Sequence, residues 1–103
     1  MVLTKVASAK DLEPGKKMGV QVGDKPILLV NVEGNLYAIG NKCTHRGCSL
    51  SDGTLRGDQI RCVCHGSTFD VKTGAFVKGP AKEPEPSYPV QVQQGQVMVD
   101  VST

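Results

Sequence analysis

Two short stretches of this chain constrain it more than anything else in the sequence. NKCTHRGC, residues 41–48, places two cysteines and a histidine within six positions, and RCVCHGS, residues 61–67, does so again. All four cysteines and both histidines of the protein lie in these two boxes. Such clustering points to a metal site and away from a disulfide framework spread along the chain. A four-coordinate metal needs four donors, whereas the boxes offer six, so two residues are left over. Taken as Cys43-x-His45 and Cys62-x-x-His65, with sixteen residues between them, each box supplies one thiolate and one imidazole.

Two metal groups suit that donor set. A tetrahedral Cys2His2 zinc matches in ligand type and number. A two-iron cluster, with both thiolates on one iron and both imidazoles on the other, matches the one-of-each arrangement on the two arms. A cysteine nucleophile with a histidine base is a third possibility, but nothing else in the chain suggests an oxyanion site or a substrate pocket.

The rest of the sequence sets the frame for that site. At 103 residues the chain is read as one small domain, 1–103, with a modest core that has no Trp, two Tyr and two Phe. A bound metal group would add folding free energy to such a core. Short β-branched runs between turn signals indicate an all-β fold. The expected strands are 3–7, 18–22, 27–32, 36–39, 59–62, 67–70, 75–77, 90–93 and 97–101. VGDK, VEGN, KTGA and QQGQ are the expected hairpin connections. Val30, Val32, Leu36 and Ala38 fit one inward face, Val97, Val99 and Val101 a second, and Val90 and Val92 alternate in the same way. One helical turn is expected near Ser8–Leu12, capped by Ser8 and ended by Pro14. From about residue 41 to 89 the chain is rich in Gly, Pro, Cys and charge, which implies a small loop-built site subdomain carried on a scaffold formed by both chain ends. Its last part, GPAKEPEPSYP, has four prolines and is too stiff for a central strand.

Charge is unevenly placed. Residues 41–82 carry seven basic and three acidic side chains, against five and seven elsewhere. This is either the ordinary charge of solvated loops or a basic collar that steers an acidic protein partner. With no basic run and no aromatic platform, a nucleic-acid partner is not expected. No stretch approaches the ~20 apolar residues of a membrane span and the N-terminus does not resemble a signal peptide, so a cytoplasmic protein is expected.

Cys43-Thr44-His45-Arg46-Gly47-Cys48 and Cys62-Val63-Cys64-His65-Gly66-Ser67 closely resemble the two cluster-binding boxes of Rieske [2Fe–2S] proteins. Ser51-Asp52-Gly53, Phe69-Asp70, Thr73-Gly74 and Gly79-Pro80-Ala81 extend the resemblance over about residues 36–92. It implies an antiparallel Rieske-like β-sandwich and a [2Fe–2S] cluster with Cys43 and Cys62 on the buried iron and His45 and His65 on the outer one. Gly79, Pro80 and Ala81 resemble the loop that covers the cluster in this family. By the same resemblance Cys48 and Cys64 form a disulfide, as in the Rieske proteins of respiratory and photosynthetic complexes. Many ferredoxins that serve ring-hydroxylating oxygenases lack that pair. A bridge closing a loop of about fifteen residues is worth roughly 3 kcal/mol in the chain-entropy model, although disulfides are rare in reducing compartments. Ser67 matches a position whose hydroxyl bonds a bridging sulfide in high-potential members, and Phe69 stands where those members have a Tyr, so the implied potential lies between the family extremes.

The function this resemblance implies is that of a monomeric Rieske ferredoxin, an electron carrier and not a catalyst, working between a flavin reductase and an oxygenase. Lys42, Arg46 and Lys78 belong to the collar that would dock such partners. A zinc-stabilised binding module and a soluble respiratory-type Rieske protein are the alternatives.

Overall fold

The computed structural model describes residues 3–42, 48–64, 66–79 and 83–100. Cys43, His45, Arg46, His65, Pro80, Ala81 and Val101 lie outside the described residues. The described chain runs β1 (Leu3–Ser8), a 3-10 turn (Ala9–Asp11), β2 (Lys17–Val22), β3 (Lys25–Val32), β4 (Asn35–Gly40) and a second 3-10 turn (Leu50–Asp52). It continues through β5 (Thr54–Arg56), β6 (Gln59–Arg61), β7 (Thr68–Asp70), β8 (Phe76–Lys78), β9 (Ser87–Tyr88), β10 (Val90–Gln93) and β11 (Gln96–Asp100). Three antiparallel sheets result, ordered β1-β11-β10, β2-β3-β4-β9 and β5-β6-β7-β8. The all-β expectation holds. The two ends of the chain pair directly, with Leu3 opposite Asp100.

Turn chemistry sets the register of the middle sheet. Glu33 and Gly34 both have positive φ, 54° and 94°, in the two-residue turn between β3 and β4, as a tight hairpin with right-handed strand twist requires. Gln94 and Gly95 do the same between β10 and β11, with φ of 51° and 76°. With the first turn in place, Leu28 faces Ile39 and Leu29 faces Ala38.

That register makes β3 the shared wall of two cores. Ile27 and Leu29 pack with Leu12, Ala38, Val97 and Val99 on the side of the terminal strands. Leu28 and Val30 point the other way, into a cluster with Ile39, Leu50, Ile60, Cys62, Phe69 and Val71. Four consecutive buried apolar residues, 27–30, are the consequence. The single inward face expected for Val30, Val32, Leu36 and Ala38 is therefore corrected. Val30 and Val32 belong to the site-side cluster, and Leu36 and Ala38 to the other. Both faces of this sheet are covered, so alternation along it sorts residues between two cores and not between core and water. Val90 packs against the terminal core, but Val92 is 51% exposed because β10 is the edge of its sheet.

Two strands escaped the sequence reading. β5 has only Leu55 as apolar content, and it forms by pairing across a short turn at Gly57, whose φ is +62°. The site subdomain is thus built on a four-stranded sheet of its own as well as on loops. β9 lies between Pro86 and Pro89 and occupies the edge position beside β4, which is where proline is tolerated. Burial there, with a smaller contribution from the Glu85 carboxylate, holds the Tyr88 phenol above its ordinary pKa of 10.0. The turn after β1 is 3-10, Ser8 precedes it as expected, and the Ser8 side chain makes no capping bond.

Because β3 serves both cores, truncating it should be costly. Leu28→Ala is expected to destabilise by about 2–5 kcal/mol, and Val92→Ala by no more than about 0.5 kcal/mol. Urea unfolding midpoints of the two variants provide the comparison.

Candidate metal centre

The second Cys/His box is the connection between β6 and β7. Arg61 and Thr68 are the last facing pair of that ladder. Beyond them the Cys62 N–H donates to the Ser67 carbonyl at 2.7 Å, and the Gly66 N–H donates to the Cys62 carbonyl at 3.1 Å. These bonds close the loop at its base. Cys62 is 2% exposed and belongs to the site-side core with Ile60 and Phe69, while Val63, next in sequence, is 63% exposed at the tip. One residue of the box is thus anchored in the core and its neighbour faces solvent.

The first box hangs from a clip at its base. Lys42 and Ser49 form an isolated antiparallel bridge across it. Asn41, at the end of β4, secures the far side of the loop. Its carbonyl accepts from the Leu50 N–H at 2.7 Å. Its side-chain Oδ1 accepts from the Ser51 N–H at 2.7 Å, and its Nδ2 donates to Ser51 Oγ at 3.1 Å. Lys17 Nζ donates to the Ser51 carbonyl as well. The sequence reading missed Asn41; its one signal is an Asn directly before a Cys/His box, a residue type that competes for backbone partners in loops.

A Cys48–Cys64 disulfide joins the two boxes, with Cα atoms 6.5 Å apart, inside the usual range for a bridge. The sulfurs of Cys48, Cys62 and Cys64 all lie within 4.8 Å of one another. Two of these three are spent on each other, which leaves Cys62 as the thiol of this group that can bind metal.

The segment leading to Gly79-Pro80-Ala81 rests directly on the second box. Gly79 has φ +112°, and a Cβ there would lie 2.6 Å from Ser67 Cα. Only glycine permits that approach. At the foot of the segment the Glu85 N–H donates to the Gly74 carbonyl at 2.8 Å. A Cβ on Gly74 would meet the Glu85 carbonyl at 2.1 Å. Ser67 and Phe69 are both fully buried, and the Phe69 ring meets Phe76 edge-on at 6.2 Å between centroids.

Comparison with known proteins agrees with this geometry. The sequence profile of the Rieske [2Fe–2S] domain matches residues 2–89. The chain belongs to the Rieske [2Fe–2S] domain family. The ferredoxin component of the naphthalene 1,2-dioxygenase system of Pseudomonas putida is 40% identical over 92 residues, 89% of this chain and 88% of that protein. Sulredoxin of Sulfurisphaera tokodaii is 36% identical over 109 aligned positions, covering 98% of this chain and 100% of the relative. Among solved structures, a chain in the complex of reduced oxygenase and oxidized ferredoxin of carbazole 1,9a-dioxygenase superposes with a TM-score of 0.89 at 39% identity. That match covers 95% of this chain and 92% of the other.

The cofactor of this Rieske chain is the [2Fe–2S] cluster of its family. The described donors fit it, since a buried thiol at Cys62 offers the soft ligand that Fe–S iron prefers. The enclosed Ser67 also sits in the same loop. The disulfide expected from the resemblance is present. Among the described residues no helix is long and apolar enough to cross a membrane.

The contact at Gly79 yields a sharp expectation. Gly79→Ala should leave the protein folded but push the Gly79 backbone away from Ser67 and the second box. Iron content per chain and visible absorbance after overnight dialysis should fall at least severalfold relative to the wild type, with the far-ultraviolet circular dichroism unchanged.

Proposed function

We propose that this chain is a one-electron carrier which accepts an electron from a flavin reductase and delivers it to an oxygenase, without catalysing a substrate reaction itself. Relatives include ferredoxin components of dioxygenase systems, and this reading extends their role to the present chain. We assign the whole chain, 1–103, to one Rieske domain, with residues of about 41–89 as its cluster-binding part, and expect it to act in the cytoplasm. Cys43 and Cys62 hold the inner iron, and His45 and His65 hold the outer iron. Pro80 and Ala81 continue the cover that begins at Gly79.

The observation that carries this reading is the Cys48–Cys64 bridge. It removes two of six candidate donors and leaves one cysteine and one histidine in each box, the set that a mixed-ligand cluster takes. The bound cluster supplies a one-electron couple that neutral imidazoles make easier to reduce than an all-thiolate centre. The chain's own residues enclose one side of it. Cys62 is held by its place in the core, and the loop around it is held by the Ser67 backbone.

Two measurements test the reading. Purified protein should be coloured, and after reduction it should give a rhombic EPR signal with a low average g; a colourless protein containing one zinc per chain would instead establish the zinc module. Ser67→Ala should lower the midpoint potential by about 60 mV, the equivalent of about 1.4 kcal/mol for one electron. Phe69→Tyr should raise it, since a new donor near the cluster favours the more negative reduced state. Protein-film voltammetry reads both shifts, and an unchanged potential in Ser67→Ala would remove the proposed hydroxyl bond.

A further inference from the structure

The outer face of the β5–β8 sheet carries a cationic trough. Register places Thr54, Arg61, Thr68 and Lys78 opposite one another in a row across all four strands. Arg56 lies two residues further along the Thr54 strand and so shares this face. Leu55, Ile60 and Phe69 form the intervening row, which faces the core. A groove of about 260 Å³ follows the outer row, with Arg56, Arg61 and Lys78 on its walls. Thr68, 4% exposed, forms its floor.

The ion pair found among the described residues joins Lys72 to Asp58 at 3.6 Å. Asp70, the acid on this sheet, accepts the Lys72 N–H at 2.8 Å. Asp70 shares the outer face with Arg56, across Gln59, yet Arg56, Arg61 and Lys78 form no ion pair among the described residues.

The trough also runs into the metal centre. A second depression, of about 340 Å³, shares Thr54, Arg61 and Gly66 with the first and extends to Cys62, Val63 and Cys64. Arg61 is the residue that connects them. Its guanidinium lies against Gly66, where an added Cβ would come within 3.2 Å of Nε and Nη2. Gly66 directly follows His65 in sequence. Exposed Val63 supplies an apolar contact at the same end.

We propose that this trough seats an acidic segment of the redox partner protein, with its carboxylates between Arg56, Arg61 and Lys78 and an apolar side chain against Val63. An apolar contact with a charged rim is the usual anatomy of a transient protein interface, and unmatched charge raises the rate of encounter with a complementary surface. A rigid sheet fixes the spacing of the cations, which a set of mobile loops would not. This inference rests on the electron-carrier reading and adds where, and to what chemistry, the carrier docks.

Fluorescence anisotropy with a labelled hexaglutamate peptide on the cluster-loaded protein tests it. The groove variant Arg56→Gln/Arg61→Gln/Lys78→Gln should bind the peptide at least tenfold more weakly than the wild type. Lys5→Gln/Lys10→Gln/Lys16→Gln removes the same charge from exposed positions elsewhere and should change binding less than twofold. Because Arg61 touches the second box, Arg56→Gln/Lys78→Gln provides a variant with that contact intact, expected to lose at least threefold. Visible absorbance confirms that every variant retains its cluster. Equal losses in the groove and control variants would overturn the proposal, as would no loss in the groove variants. Displacement of the peptide by inorganic phosphate at matched charge would overturn it too, since the trough would then be a small-anion site. A wild-type protein without a cluster spectrum would refute the carrier reading alone, because the peptide titration reports on the groove independently.

Discussion

The Cys48–Cys64 bridge is the constraint on which the metal centre depends. Without it, the two boxes are loops that leave separate strands and share no ladder. With it, residues sixteen apart in sequence are covalently joined, and the Cys62 thiol is brought within 4.8 Å of the bridge sulfurs. The bridge also narrows the donor set. It takes two of the six candidate donors, and it is membership of the Rieske family that makes the metal group a [2Fe–2S] cluster and not a zinc. The relatives with high identity include ferredoxin components of dioxygenase systems, yet the bridge and Ser67 are features the resemblance associates with high-potential proteins. This chain joins a carrier's similarity to features of that other branch.

The scaffold supports the bridge from beneath. β3 is buried on both faces, so the terminal strands stabilise one side of the middle sheet while the site-side core forms on the other. Asn41 sits at the end of β4 and clips the first box to this sheet. Ile60, Phe69 and Cys62 carry the second box into the core. Each box is therefore held at its foot by ordinary packing and hydrogen bonds, and the disulfide joins the two. Burying a side chain such as Ile60 or Phe69 is worth about 1.5–3 kcal/mol, similar in size to the roughly 3 kcal/mol of loop-closure entropy the bridge removes from the unfolded chain.

Much of this was legible in the sequence, for identifiable reasons. β-Branched runs between Gly-containing turns marked nine strands, and the box motifs marked the centre and the bridge. A scaffold formed by both chain ends was expected, and the direct pairing of the first and last strands is what the structure adds. Less was legible where tertiary context decides. β5 and β9 are too short and polar to carry a periodic signal, and they exist because neighbouring strands offer them a ladder. The assignment of Leu36 and Val30 to opposite cores could not be read from alternation, because period two separates faces without saying what covers each. The cationic trough was foreshadowed only as a basic collar. It took register to show that Arg61 and Lys78 share a row across Thr68.

The central claim is that two cysteines are joined to each other and two are left for iron. Alkylation of the unfolded, cluster-stripped protein without reductant, followed by peptide mapping, tests it most directly. The account predicts alkylated Cys43 and Cys62 and a cross-linked peptide pair containing Cys48 and Cys64. Four alkylated cysteines, or a cross-link that includes Cys43 or Cys62, would contradict it.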